Sequence, residues 1–236
     1  MKISIITLFP EMFEGPFQHS IVGRAQTSNL VEIELVQLRE FSTDKRGRVD
    51  DTPYGGGPGM VLQAPPLAAA VDSVAENSEA ESKPHVVLMS AQGEKVTHRT
   101  LELLSSHESV VIVCGHYEGV DQRFIETRVD EELSIGDFVM TGGEIPAMAL
   151  TDGMVRLIPG VLGDDQSAVT DSHSPELGGL LEGPVYTRPL DFEGLPVPDV
   201  LLKGDHGKIE SWRKTQSIKK TEQLRPDLLD GWPEQR

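Results

Sequence analysis

The chain has 236 residues and a net charge of −17, from 21 Lys and Arg against 38 Asp and Glu. This length is enough for one large α/β domain or two smaller ones. The single Cys excludes a disulfide framework and any multi-cysteine zinc or iron–sulfur site, and no apolar run approaches the roughly 18–20 residues of a membrane span. The first residues contain too short an apolar run for a secretory signal, so we expect a cytoplasmic protein.

Predicted strands and helices alternate along the first two thirds of the chain. Strands are predicted at residues 2–8, 31–38, 85–89 and 109–114, and residues 135–140 form a further short apolar run. Helices are predicted at residues 17–25, 67–75, 98–105, 120–129 and 143–158. Residues 72–82 contain four acids and no base, and we expect a mobile connection there. Strands separated by helices indicate a mainly parallel α/β sheet.

The pattern changes beyond Pro159. Residues 161–199 are acidic and rich in Gly and Pro, which is typical of linkers and irregular structure. Residues 205–224 then predict a polar amphipathic helix, which Pro226 ends. The apolar positions of this helix are Ile209, Trp212, Ile218 and Leu224.

Two basic islands interrupt the acidic chain. Residues 203–220 hold six bases against two acids, a net of +4, and residues 39–48 hold four bases against two acids, a net of +2. Such islands are where an acidic protein could contact nucleic acid. On composition alone, ordinary solvated faces explain them equally well.

The glycines indicate where a ligand could bind. Phe9-Pro10-Glu11 follows the first strand instead of Gly-x-Gly-x-x-Gly, and no Gly-x-x-x-x-Gly-Lys-Ser/Thr occurs, so the common dinucleotide and nucleoside triphosphate cradles are not predicted. Glycines cluster instead at residues 90–93, 114–119 and 134–144, after successive strands. Three such clusters favour a ligand pocket over tight turns alone, because ligands of open α/β sheets bind beyond the carboxyl ends of the strands.

Two further features have local interpretations. Residues 50–60 are rich in glycine and follow a basic run, so they predict either a flexible turn or a loop that closes over a polyanionic substrate. Cys114 ends a strand of Val and Ile, and we expect a buried, inert thiol there rather than a nucleophile.

The chain contains four longer motifs: Tyr54-Gly55-Gly56-Gly57-Pro58-Gly59-Met60, Cys114-Gly115-x-Tyr117-Glu118-Gly119-Val120-Asp121, Ser134-Ile135-Gly136-Asp137 with Thr141-Gly142-Gly143-Glu144, and Tyr186-Thr187-Arg188-Pro189. They resemble the motifs of the bacterial tRNA (guanine-N1)-methyltransferase family, within the SPOUT superfamily. The resemblance runs from Met1 to about Leu229. It implies an α/β fold, a mainly parallel sheet with a C-terminal trefoil knot, followed by a small, mostly helical domain. The expected divisions are a donor-binding domain at 1–160, a linker at 161–174 and a tRNA-binding domain at 175–236.

The same resemblance implies an activity. The enzyme would transfer a methyl group from S-adenosyl-L-methionine to N1 of the guanosine 3′-adjacent to the anticodon in tRNA. It would be a homodimer with shared active sites and would require Mg²⁺. Two alternatives stay open: a SPOUT methyltransferase acting on another RNA, and a non-catalytic dimeric RNA-binding module.

Matching the motifs position by position implies site residues. The donor-binding residues are Leu88, Ser90, Gln92, Gly93, Gly115, Tyr117, Glu118, Ile135, Gly136, Asp137, Phe138, Val139, Met140, Gly142, Gly143 and Pro146. The catalytic residues are Asp171, Arg156 and Glu118. From the two basic islands, the expected RNA contacts are Arg46, Arg48, Lys214, Lys219 and Lys220.

The chemistry explains why an acid and a guanidinium would be needed. Methylation at guanine N1 removes a proton, which Asp171 could accept. Negative charge then gathers on O6, where Arg156 could stabilise it. Without the resemblance, Asp171 would be interpreted as a turn or capping residue, whereas for Arg156 a surface residue with an acidic partner would be an equally good interpretation. Mg²⁺ has no assigned ligands, although Glu118 and Asp171 could take part.

Overall fold

The computed structural model describes residues 1–78, 80, 82–163, 170–230 and 232. The chain divides into two compact units, Met1–Gly163 and Asp164–Arg236. Within the predicted linker at 161–174, residues 164–169 lie outside the described residues.

Strands and helices alternate in the first unit, and the second unit has a single long helix among its described residues. The strands are β1 (Lys2–Thr7), β2 (Glu32–Gln37), β3 (Asp50–Asp51), β4 (Val61–Leu62), β5 (His85–Lys95), β6 (Ser109–Cys114), β7 (Glu131–Ser134), β8 (Asp191–Phe192) and β9 (Leu195–Pro196). The α-helices are α1 (Glu14–Gln18), α2 (Ser20–Thr27), α3 (Ala64–Glu76), α4 (His98–Ser105), α5 (Gln122–Arg128), α6 (Glu144–Val155) and α7 (His206–Leu224).

A five-stranded sheet in the order β2-β1-β6-β5-β7 forms the centre of the first unit. All of its strand pairs are parallel, which confirms the predicted mainly parallel sheet. The central strand β6 is buried along its whole length, because helices cover both faces of the sheet. The carboxyl ends of β5, β6 and β7 therefore meet at one edge.

Successive residues of each strand supply two separate apolar cores. On one face Ile5, Val87 and Ile112 pack with α2, α4 and α6. On the other face Val111 and Val113 pack with α3 and α5. This alternation is the period of two that a pleated strand imposes, and it gives the unit three layers.

Local signals explain several helix boundaries. Helix α4 spans the predicted residues because the Thr97 side chain accepts a hydrogen bond from the Thr100 amide at 3.2 Å and caps its first turn. The predicted mobile connection at 72–82 was wrong for residues 72–76, since α3 continues to Glu76, and residues 79 and 81 of that segment lie outside the described residues. The short apolar run at 135–140 is not a strand; β7 precedes it and ends at Ser134.

In the second unit, two residues with hydroxyl groups form the buried face of α7. Ser217 and Thr221 are its buried residues, whereas Leu224 is 63% exposed. The Ser217 hydroxyl donates to the Leu181 carbonyl at 2.6 Å, and the Leu181 amide donates to Thr221 Oγ1 at 3.0 Å. Hydroxyl groups thus hold this helix to a neighbouring backbone segment, while three of the four predicted apolar positions, Ile209, Trp212 and Ile218, are half-buried.

No helix in the described part of the chain is both long and apolar enough to cross a bilayer.

Candidate functional site

A cavity of about 280 Å³ lies beyond the carboxyl ends of β5, β6 and β7. Its volume is near the lower end of the roughly 300–1,000 Å³ typical of small-molecule sites. Three segments of the first unit form most of its wall: the end of β5, the loop at 115–122 and the loop at 135–143. This is the edge at which open α/β sheets bind ligands.

An irregularity in β5 forms the first wall. Met89 and Glu94 both pair with Leu133 of β7, so the four residues between them leave the ladder. Of these four, Ser90, Ala91 and Gln92 line the cavity. Such a bulge re-aims side chains at the end of a strand while the pairing continues on both sides.

The other two walls are joined by backbone contacts. The Gly143 amide donates to the Gly115 carbonyl at 2.7 Å, and His116 bridges Gly142 in antiparallel fashion. A Cβ built at Gly143 would lie 2.8 Å from the Cα of Cys114, so a side chain there would push the two segments apart. Glycine at this position lets the two loops close against each other.

The cavity wall also contains apolar side chains that the protein leaves exposed. Phe138 is 56% exposed and Val139 is 86% exposed, and both line the cavity. Apolar side chains that converge on a concave site are covered when a ligand with an apolar body binds. The site therefore offers backbone polar groups on glycine segments together with apolar contact area.

Buried polar groups lie beneath the wall. The Glu144 carboxylate is 2% exposed and accepts a hydrogen bond from Thr7 Oγ1 at 2.9 Å, which ties the first turn of α6 to the end of β1. Burial, and then the negative charge of Glu144, raise the pKa of the Cys114 thiol well above its ordinary value. Cys114 is 2% exposed, so the expectation of a buried thiol is confirmed.

A family model described as "tRNA (Guanine-1)-methyltransferase TrmD" matches residues 1–231. The chain belongs to this family. It is 51% identical over 231 residues to the tRNA (guanine-N(1)-)-methyltransferase of Bacillus pumilus (strain SAFR-032), covering 98% of this chain and 93% of that protein. It is 50% identical over 233 residues to the enzyme of the same name from Bacillus subtilis (strain 168), covering 99% and 94%. A relative of that name from Bacillus cereus (strain AH820) is 51% identical over 230 residues, covering 98% and 92%.

Most of the residues that the family motifs assign to the donor lie around the cavity. Those lining it are Leu88, Ser90, Gln92, Gly115, Tyr117, Glu118, Ile135, Phe138, Val139, Met140, Gly142, Gly143 and Pro146. Gly93, Gly136 and Asp137 do not line it. A Cβ at Gly93 would lie 2.5 Å from the Leu133 amide nitrogen, so this glycine admits the neighbouring strand, and Asp137 pairs with Lys95 at 2.6 Å.

The three predicted catalytic residues are distributed over both units. Glu118 lines the cavity, and its amide donates to the Met60 carbonyl at 3.0 Å. Arg156 is half-buried and caps the C-terminus of α6, also in the first unit. Asp171 belongs to the second unit, where its carbonyl accepts from the Ser174 amide at 3.1 Å in a turn.

The predicted RNA contacts are also divided between the units. In the first unit, Arg48 donates from Nη2 to Asp44 at 3.0 Å, and this hydrogen bond raises the pKa of the Arg48 guanidinium. The amide of Arg46 binds the same carboxylate at 2.6 Å, while its side chain is exposed. In the second unit, Lys214 and Lys219 are exposed on α7 and Lys220 is half-buried.

Several cavity residues were not predicted from the sequence. His116 and Thr141 lie inside the glycine clusters at 114–119 and 134–144, and Gln122 lies three residues beyond the cluster at 114–119, so including every residue of each cluster and a few that follow would have found them. Val61 is different, because it comes from β4, more than fifty residues earlier than the loop it adjoins. Nothing in its local sequence indicates that contact, which depends on the bridge between Leu62 and Val120.

Proposed function

We propose that this chain is an S-adenosyl-L-methionine-dependent methyltransferase that modifies N1 of the guanosine 3′-adjacent to the anticodon in tRNA. The observation that carries the proposal is the cavity at one edge of the sheet, whose wall combines the end of β5 with two of the family motif segments, at 114–121 and 134–144. The glycine segments and exposed apolar side chains fit a donor with a nucleoside and an amino-acid part. When bound, the donor supplies an electrophilic methyl group on a sulfonium, so the chain needs no nucleophilic residue.

The chain's own residues would bind and deprotonate guanine. Guanine carries two donors on the relevant edge, N1–H and the exocyclic amine. We assign Asp171 to accept the N1 proton and Arg156 to stabilise the charge that develops on O6. Glu118, on the cavity wall, provides a second carboxylate that can accept a hydrogen bond from the amine.

Asp171 is the basis for proposing a shared active site. All described residues that line the cavity belong to Met1–Gly163, whereas Asp171 belongs to Asp164–Arg236. In a two-fold homodimer, the second unit of one chain can complete the cavity of the other. We therefore propose a homodimer in which Asp171 acts on the partner's donor site, in the cytoplasm where tRNA is found.

The remaining features implied by the family are also proposals. We propose that the loops at 115–122 and 135–143 belong to a trefoil knot; their backbone hydrogen bond and bridge support this. The donor-binding, linker and tRNA-binding segments are proposed at 1–160, 161–174 and 175–236. Among the described residues, no group of three or more His, Cys, Asp or Glu is arranged to hold a metal ion, so no step is assigned to Mg²⁺.

Methyl transfer to defined tRNA transcripts tests the proposed function. The protein is incubated with labelled donor and a transcript that carries guanosine next to the anticodon, and nucleosides are identified by mass spectrometry. We expect 1-methylguanosine, and none in a matched transcript with adenosine at that position. Methylation of another RNA position would favour the first alternative, and RNA binding without methylation would favour the non-catalytic module.

A further inference from the structure

Tyr54 is the most exposed large hydrophobic side chain in the described part of the chain, at 99%. Aromatic side chains usually bury about 150–250 Å² each, in a core or an interface. Every residue from Tyr54 to Gly59 is exposed, so no neighbouring side chain covers the ring. The folded chain thus leaves the face of this aromatic ring open to a partner.

The loop geometry holds this ring outward. The Gly56 amide donates to the Pro53 carbonyl at 3.2 Å, which closes a turn with Tyr54 as its first central residue. Gly55 follows with φ of +86°, the left-handed value that a type II turn requires at its second central position. The ring therefore stands at the corner of a turn with a defined backbone.

The base of the loop is fixed beside the donor cavity. The loop connects β3 with β4, whose antiparallel pairing joins Asp51 to Val61. The Leu62 amide then donates to the Gly119 carbonyl at 3.0 Å, next to the hydrogen bond between Glu118 and Met60. Val61 itself lines the cavity. The loop that carries Tyr54 is thus bonded to a segment of the cavity wall.

The chemistry of the proposed substrate indicates which group the Tyr54 ring would contact. N1 lies on the Watson–Crick edge of guanine, so the target base must be unpaired to be methylated, and the proposed target next to the anticodon lies in a single-stranded loop. Proteins recognise unpaired RNA bases mainly by stacking them on aromatic side chains. We propose that Tyr54 is a base-stacking residue that receives an unpaired base of the RNA close to the target guanosine. The proposal rests on the proposed function for its ligand, an RNA with a single-stranded loop.

Equilibrium binding of a tRNA transcript tests the proposal without relying on catalysis. Tyr54→Ala should raise the Kd for tRNA by about 5-fold to 150-fold, which is the loss of affinity expected when one base–aromatic stacking contact is removed. Tyr54→Phe keeps the ring and should keep most of the affinity. Tyr54→Leu keeps apolar volume without a π-face and should resemble Tyr54→Ala. Leu103→Ala, at an exposed apolar position on α4, is the control and should not change the Kd.

The stacked base can be located with modified RNA. Transcripts with one abasic nucleotide at each unpaired position around the target are bound by wild type and by Tyr54→Ala. At the stacking position the two proteins should bind with equal affinity, because the contact is already missing.

Three results would overturn the assignment. They are wild-type tRNA affinity in Tyr54→Ala, affinity in Tyr54→Leu equal to that in Tyr54→Phe, or a loss in Tyr54→Ala that comes with a lower Tm and weaker binding of S-adenosylhomocysteine. Wild-type protein that binds tRNA but methylates no guanosine would instead contradict the proposed function and leave these Kd ratios to decide the stacking role.

Discussion

The two units of the chain bury different kinds of side chain. In Met1–Gly163, strand residues such as Ile5, Val87 and Ile112 fill two apolar cores on either side of the sheet. In the described part of Asp164–Arg236, four residues are buried, and three of them carry hydroxyl groups. These residues are Ser174, Leu180, Ser217 and Thr221.

This difference means that the two units respond differently to substitution and to partners. Apolar burial is non-directional and sums over many contacts. The packing of α7 in the second unit depends on individual hydrogen bonds, and each of these bonds is lost when its hydroxyl oxygen is removed. It also exposes Val185 (79%), Phe192 (62%) and Leu195 (75%), which supports its proposed role in contacting other molecules.

The largest expected effect separates catalysis from donor binding. Asp171→Asn keeps the side-chain shape but cannot accept the N1 proton, so the single-turnover rate of methyl transfer should fall by about 10²–10⁴-fold. Calorimetry with S-adenosylhomocysteine should give wild-type affinity, because the cavity lies in the other unit. A parallel loss of donor affinity would show that Asp171 supports the cavity instead.

Mixed dimers sharpen this comparison. Val139→Arg places a cation in the donor cavity at an 86% exposed position, so the variant should fold but lose the cationic donor. When the Val139→Arg and Asp171→Asn variants are refolded together, random pairing makes about half of the dimers mixed. One of the two sites in each mixed dimer then combines an intact donor cavity with an intact Asp171 from the other chain. Activity should therefore return to about a quarter of wild type. Background activity, with mixed dimers confirmed by mass spectrometry, would place Asp171 in its own chain's site.

The next effect concerns the basic face of α7 in the second unit. Changing Lys214, Lys219 and Lys220 to Ala should flatten the log–log dependence of tRNA affinity on salt by up to about two to three units, since each phosphate contact contributes roughly 0.7–0.9. Lys83→Ala, an exposed cation of the first unit outside both basic islands, is the control and should leave the slope unchanged. An unaltered slope in the triple variant would assign the RNA contacts to other residues.

A smaller effect tests the packing of the first unit. Gly93→Ala would bring a Cβ to 2.5 Å from the backbone of Glu132 and Leu133, which cannot move without opening the β5–β7 pair. We expect a loss of about 3 kcal/mol in the free energy of unfolding, or roughly 6–12 °C in Tm. Gly15→Ala in α1 meets nothing within 4 Å and should be neutral or slightly stabilising. If calorimetry gives the same Tm for Gly93→Ala and Gly15→Ala, a side chain at residue 93 does not disturb the β5–β7 pair.

The smallest expected effect tests the hydroxyl packing of the second unit. Thr221→Val conserves shape but removes the acceptor of the Leu181 amide, and should cost about 1–2 kcal/mol of unfolding free energy. Thr221→Ser keeps the oxygen and should lose less. Denaturant titration measures the unfolding free energy of the two variants. A Thr221→Val variant that is more stable than Thr221→Ser would contradict the role of the hydroxyl group in this packing.

Sequence patterns predicted the fold best where local chemistry and packing agree. The buried strand β6 and the capped helix α4 have the predicted bounds, because a continuous β-branched run and a threonine cap act within a few residues. The apolar run at 135–140 was harder to interpret, because Ile135, Phe138 and Val139 are exposed around a cavity rather than buried in the sheet. Hydrophobicity alone does not distinguish a ligand wall from a core strand.

The candidate site was predicted largely through the family motifs, with limits set by geometry. Gly93 matches a donor motif, yet its missing side chain makes room for β7, a contact that depends on how two strands pair. The face of α7 that packs against Leu181 consists of serine and threonine, which hydropathy treats as solvent-facing. Such contacts depend on which backbone groups lie opposite, and a single sequence does not record that.

The reactivity of Cys114 can be used to measure local opening of the protein. Alkylating reagents attack the thiolate, and this thiol is 2% exposed, has a raised pKa and lies where Gly143 packs against its Cα. The folded chain should therefore resist maleimides until β6 separates from the loop above it. Because the chain has one cysteine, the rate of labelling measures how often β6 and this loop separate, with no engineered probe.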